Sequence, residues 1–157
     1  MLKYILLVLM MVALAGAAMV RVRPVDAAKY HVQDLRPELV SGRDGQFSVG
    51  QGGDIPAVKS DMELTQLGAA LAERIESTPR TQLLAGSLSE GPDDTRRIAT
   101  FVTRSQVFGF PDVTVVQLDR GEGGGTEISM KGRQVYGVKD FGVNEARLRE
   151  WLSPFGN

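Results

Sequence analysis

The pattern of apolar positions divides the chain sharply. Tyr4–Val20 is an unbroken apolar run without a charge, preceded by Lys3 and closed by Arg21 and Arg23. As a helix it rises about 25 Å, at the short end of what crosses a hydrocarbon core of about 30 Å. It has no polar face, so it does not read as the core helix of a globular fold. Periodicity then disappears. Residues 24–40 are polar with two prolines, and residues 41–58 hold Gly42, Gly45, Gly50, Gly52, Gly53 and Pro56. The first stretch reads as a juxtamembrane connector and the second as loop, with one short extended piece at Gln46–Val49. At Ser60 the pattern returns. Ser60-Asp61-Met62-Glu63 has the form of a capping box, Leu64, Leu67, Leu71 and Ile75 share one helical face, and Pro79 closes it, predicting a helix over 61–77. Four strand-like segments follow: Arg80–Leu88, Thr95–Val107, Val113–Leu118 and Thr126–Tyr136, with alternation clearest in the second. Asn144–Phe155 closes as a helix, with Asn144 as N-cap, Val143 and Leu148 spaced as a hydrophobic staple, and Leu148, Trp151, Leu152 and Phe155 on one face.

Helix, four strands, helix, with links short enough for hairpins, predicts an α+β domain. An antiparallel sheet of about four strands carries two packing helices and is preceded by an N-terminal membrane helix. The expected divisions are 1–23 for the anchor or signal segment, 24–58 for the connector and loop-rich stretch, and 59–157 for the domain. Ala13-Leu14-Ala15 and Ala15-Gly16-Ala17 offer small-x-small sites for a cleaved export signal. The apolar run continues past both to Val20 with no polar stretch before either, which favours an uncleaved anchor. Tyr4, Lys3, Arg21 and Tyr30 are placed to anchor its two ends at the interfaces. Lys3 on one side against Arg21, Arg23, Lys29 and Arg36 on the other would leave the domain in the cytoplasm by the positive-inside rule.

Composition narrows the chemistry. The 157 residues contain no cysteine and one histidine, which excludes disulfides, thiolate metal sites, cysteine nucleophiles and multi-histidine metal clusters. No metal or cofactor is expected. Lys and Arg number 18 against 19 Asp and Glu, and three of the basic residues flank the apolar run, so the remainder is acidic. Nucleic acid is therefore not an expected partner. The one basic doublet, Arg96-Arg97, follows Asp93-Asp94 and reads as a solvated strand entrance.

Three features invite a chemical reading. Gly121-Glu122-Gly123-Gly124-Gly125 resembles a phosphate cradle, but a strand follows it rather than a helix N-terminus, so a hairpin turn is preferred. His31, beside Tyr30, has no nucleophile or carboxylate at a spacing that suggests catalysis, and a place at the membrane interface is expected. Between Thr103 and Arg147 lie Arg104, Ser105, Phe110, Asp112, Arg133, Asp140, Asn144 and Arg147, the candidate ligand or partner patch. Arg104 and Arg133 could clamp a carboxylate or phosphate. Asp112 and Asp140 could act as an acid/base pair in a hydrolase-like site, unless they lie on opposite faces or Asp140 merely caps the last helix. The third reading is a structural ion-pair network that fixes two turns.

The same residues carry a resemblance. TRSQVFGFPDVTVVQLD followed by KGRQVYGVKDFGVNEARLREWL resembles the bacterial domain-of-unknown-function family 1499, whose pattern falls here on Arg104, Ser105, Phe108, Gly109, Phe110, Asp112, Arg133, Asp140, Gly142, Asn144 and Arg147. The start, MVRVRPVDAAKYHV, is similar to anchored alphaproteobacterial members. Many relatives begin the domain with a cysteine-bearing segment, and this chain has none. A serine-rich pattern common in relatives is replaced by Lys131-Gly132-Arg133 and Val138-Lys139. The resemblance implies an envelope-associated domain and no established activity. It favours the periplasmic side, against the arginine count. The expectation from sequence is a membrane-anchored, non-enzymatic module that meets the bilayer through residues 4–20 and binds an envelope protein or an anionic or lipid-like ligand.

Overall fold

A computed structural model describes residues 1–121 and 123–156. In chain order the elements are α1 (Leu2–Val22), a single-turn α2 (Ala27–Tyr30), β1 (Gln46–Val49), β2 (Val58–Ser60), α3 (Leu64–Glu76), β3 (Thr81–Ser87), β4 (Arg96–Arg104), β5 (Pro111–Arg120), β6 (Thr126–Gln134) and α4 (Val143–Leu152). The expected α+β architecture is present, but the antiparallel sheet has six strands rather than four, in the order β1-β6-β5-β4-β3. The additional strands lie along one edge of β6: β1 pairs with Met130–Arg133 and β2 with Thr126–Ile128. β1 coincides with the short extended piece expected at Gln46–Val49, outside the four expected strands, and β2, with three residues beyond a glycine-rich turn, is too short for alternation to declare it.

Period-2 alternation gives the sheet two buried faces, one apolar and one mixed. On one, Ala99 and Phe101 of β4, Val116 and Leu118 of β5, Ile128 and Met130 of β6, and Phe47 and Val49 of β1 meet Leu64, Leu67, Leu71 and Ile75 of α3 and Leu148, Trp151 and Leu152 of α4. Each such side chain contributes about 1.5–3 kcal/mol when fully buried. The predicted capping box does not form. Ser60 is drawn into β2, opposite Thr126, and α3 starts at Leu64 with no side-chain cap. Asn144 is not an N-cap either. It is buried one residue inside α4, and Val143 is exposed, so no staple forms.

The second face is covered by residues 25–39, the stretch without periodicity. Tyr30 packs on Val102 and Val113, while Leu35 and Leu39 pack on Val115. Polar side chains fix this strap. The Leu35 amide donates to Gln117 Oε1 at 2.7 Å, and Lys131 Nζ donates to the Glu38 carbonyl at 2.7 Å. Asp34 lies against Arg36, whose guanidinium holds its carboxyl well below the usual carboxylate range. Two interface expectations are thereby corrected. Tyr30 is buried, with the Arg133 guanidinium 4.6 Å from its ring centroid, and His31 Nδ1 lies 2.9 Å from Thr100 Oγ1 on the sheet. Both residues are consumed by covering the second sheet face, a stronger demand than interfacial anchoring.

Helix α1 is long and apolar enough to cross a membrane, and none of its residues is buried. Its 21 residues rise about 31 Å.

Candidate functional site

One end of the sheet collects the end of β4, the start of β5, the end of β6 and the exit of α1. Arg104 leaves β4 on the strap face and spends its guanidinium on backbone carbonyls. It donates to Gly109 at 3.1 Å, Val20 at 3.3 Å and Arg23 at 2.7 Å. Val20 belongs to the last turn of α1, where carbonyls lack intrahelical partners and a cation is favoured. Arg21 answers from the helix, donating to the Gln106 and Val107 carbonyls at 2.8 and 3.0 Å. The hairpin between β4 and β5 that receives these bonds is closed by Ser105. Its amide donates to the Phe110 carbonyl at 2.9 Å, and its hydroxyl accepts from the Phe110 amide at 3.0 Å. Phe108 and Phe110 stack with centroids 5.5 Å apart, and Tyr136 lies 6.1 Å from Phe110. Arg104, Ser105 and Phe110 thus form one unit, which mounts α1 on the sheet.

Asp112, Asp140, Asn144 and Arg147 form a second unit on the helix face. Arg147 Nη2 donates to Asp112 Oδ2 at 2.9 Å, their side chains being 12% and 15% exposed, and Arg147 Nη1 donates to Asn144 Oδ1 at 3.2 Å. Asp140 Oδ2 accepts from the Asn144 amide and Nδ2 at 3.0 and 2.8 Å, and Oδ1 accepts from the Gly142 amide at 3.2 Å. The network ties the first turn of α4 to β5. Gly132 beneath it admits the helix, since a Cβ there would lie 2.9 Å from Asn144 Oδ1 and 3.0 Å from Leu148 Cδ1. Burial pushes the Asp112 carboxyl up despite Arg147, with the neighbouring Asp140 charge adding to it. Burial also acts to raise Asp140, but the donated hydrogen bonds outweigh it and hold that carboxyl low.

Arg133 stands apart, on the strap face over Tyr30. The eight-residue patch therefore divides into a mount for α1, a network at the start of α4 and the cation–π contact of Arg133. Arg104 and Arg133 form no clamp. Asp140, two residues before the N-cap Gly142, spends its carboxylate on the amides and side chain at the start of α4 rather than facing Asp112 as an acid/base partner. The carboxylates have different surroundings: Asp140 borders a shallow cavity of about 280 Å³ with Arg43, Asp44, Lys139 and Glu145, and Asp112 does not.

Elsewhere, the amide of Gly121 donates to the Gly125 carbonyl at 2.8 Å, closing the hairpin between β5 and β6, while Glu122 of that motif lies outside the described residues. Arg97 is not solvated. Only 5% of its side chain is exposed, and its guanidinium donates to the carbonyls of Asp93 and Arg96. The glycine and proline turn before β4 folds over it. Among the described residues no group of three or more His, Asp or Glu is placed to hold a metal ion. The sequence patch omitted Val107, Tyr136, Val138 and Phe141, all exposed at this same end. The signal that could have found them is aromatic and β-branched residues inside turns, where packing gives them no reason to be.

A family model described as "Protein of unknown function (DUF1499)" matches residues 36–155. No curated protein and no solved structure matches the chain. The match spans the end of the strap, the whole sheet, both packing helices and every residue of the Asp112–Asp140–Asn144–Arg147 network, and the chain belongs to this family of unknown function.

Proposed function

We propose that the protein is a single-pass, membrane-anchored accessory module without enzymatic activity, which holds an α+β domain at a fixed position against the bilayer. The observation that carries this reading is the double arginine lock. Arg21 and Arg104 bond the exit of α1 to the β4–β5 hairpin, so the anchor continues into the fold without a flexible tether. A tether would suit a domain that only needs retention, whereas a fixed mount suits one whose orientation matters to what it binds. The reactive groups are also committed elsewhere: Asp140 to α4, Asp112 to Arg147, and His31 to Thr100. The side of the membrane is taken as periplasmic, following the exported relatives that the sequence resembles.

A chain without cysteine allows a direct test. Ser89→Cys, in an exposed turn, is expected to react with a membrane-impermeant maleimide in intact cells, and the protein is expected to stay with membranes at alkaline pH. Labelling only after lysis would put the domain in the cytoplasm. Release by alkaline carbonate would end the anchor reading.

A further inference from the structure

Among the described residues that follow α1, the exposed large apolar side chains are concentrated at the end of the sheet where α1 leaves; only Val40 and Leu83 lie elsewhere. They come from two separate loops. The β4–β5 hairpin contributes Val107, Phe108 and Phe110, and the β6–α4 loop contributes Tyr136, Val138 and Phe141. Phe141 is the extreme case. It is 93% exposed and its φ is 54°, a left-handed conformation that costs an aromatic residue energy without any packing return. Exposed basic residues stand among them: Arg21, Arg23, Arg80 and Lys139. The opposite end of the sheet differs in kind, with Glu90, Asp93 and Asp94 in the turn before β4 and the glycine loop beside it.

The hairpin has a defined level relative to the anchor. Arg21, the first charged residue after the apolar run, bonds the carbonyls of Gln106 and Val107, so the hairpin tip stands where α1 passes from apolar to charged. That is the headgroup zone if α1 spans, and its side-chain preferences are those found here: aromatic rings with polar neighbours, and arginines that reach for phosphate. Contiguous apolar patches of this kind on a folded domain mark an interaction surface. The occupant is set by continuity with α1, because a surface mounted at the helix exit faces the bilayer before it can face any other partner.

We infer that the β4–β5 hairpin and the β6–α4 loop form a second membrane contact, which seats the domain on the headgroup layer of the bilayer that α1 crosses. This rests on the anchor reading above. The contact fixes tilt and rotation, which one helix cannot do alone, and it directs the acidic end of the sheet away from the membrane.

The test uses full-length protein in vesicles of phosphatidylethanolamine and phosphatidylglycerol, with one nitroxide-labelled cysteine at a time at Met10, Val107, Phe141 or Ser89. Val107 and Phe141 are 70% and 93% exposed, so both tolerate replacement, and Val138→Cys serves where Val107→Cys lowers the yield. Fluorescence of Trp151, buried in the core, checks the fold. Expected is a label at Met10 in hydrocarbon, and labels at Val107 and Phe141 shielded from a water-soluble nickel chelate several-fold relative to Ser89. If Met10 is in hydrocarbon but either loop label is as accessible as Ser89, the inference is overturned while the anchor stands, and the face is free for a protein. If Met10 itself is open to the chelate, the anchor reading fails and this contact falls with it.

Discussion

Asp112 and Asp140 are two carboxylates of one network with opposite electrostatics, and their variants should respond to pH in opposite directions. Asp112 is raised by burial, so the stability it confers is full below about pH 4, the ordinary carboxylate value, and is lost as pH rises through its folded value. Asp140 is lowered by donated hydrogen bonds. Its contribution is present above about pH 4 and is lost as pH falls. Asp140→Asn should therefore cost most at neutral pH and progressively less on acidification. Asp112→Asn should improve relative to the native chain as pH rises from about 3 to 6. Urea titrations followed by Trp151 emission at several pH values read both slopes, and parallel slopes would refute the assignment. Arg147→Ala should be the most damaging of the three, about 3 kcal/mol, because it leaves the half-buried Asp112 carboxylate without its cation. The sequence brought these residues under suspicion but not into their groupings. Arg104, Arg133 and Asp112 look adjacent in a list of motif residues, yet strand alternation sends Arg104 and Arg133 to the strap face and Asp112 to the helix face. A one-residue difference in register decides that.

At the scale of elements, what was legible followed periodicity. Leu64, Leu67, Leu71 and Ile75 marked α3, and all four are buried, while the alternation of 97–103 marked β4. What was illegible had no period to show: β1 was visible only as a short extended piece without a partner, β2 is too short, and the strap is defined by Tyr30, Leu35 and Leu39 at spacings of five and four. Strand pairing can also override a local rule. Ser60 left its capping role because three strand residues gained pairing with β6. A further element-scale constraint is invisible to pattern reading. Gly68 sits mid-helix in α3, and a Cβ there would come within 1.9 Å of the Leu88 carbonyl at the end of β3. Helix propensity says Gly68→Ala should stabilise by about 1 kcal/mol. The close approach to a backbone atom that cannot turn aside says the opposite, and a net loss of about 3 kcal/mol is expected in thermal or urea unfolding. A gain on alanine substitution would mean that α3 stands farther from the sheet than described.

The whole molecule is organised along one axis: an apolar helix, a mount of arginines and aromatic turns, a sheet covered on both faces, and an acidic far end. Two cuts through that axis should behave differently. Arg104→Ala removes two bonds to the α1 exit and one to the β4–β5 hairpin without touching the core, so amides of residues 22–25 should exchange about tenfold faster while the melting temperature of the domain barely moves. Truncation tests the cover. The family match begins at Arg36, inside the strap, and a chain cut at residue 41 would lose Tyr30, Leu35 and Leu39. That uncovers Val102, Val113 and Val115, apolar side chains that would stand exposed on the sheet and favour association. A chain starting at Arg23 keeps the strap whole. It should elute as a discrete folded species, where the shorter chain binds a hydrophobic dye strongly and aggregates. If the chain cut at 41 is equally well behaved, residues 25–39 are dispensable packing and the strap is no part of the folding unit. The expected contrast would instead make this segment the physical link between anchor and domain. It leaves α1, crosses the sheet and closes the second face, so the domain completes its core only by folding back over the path to α1.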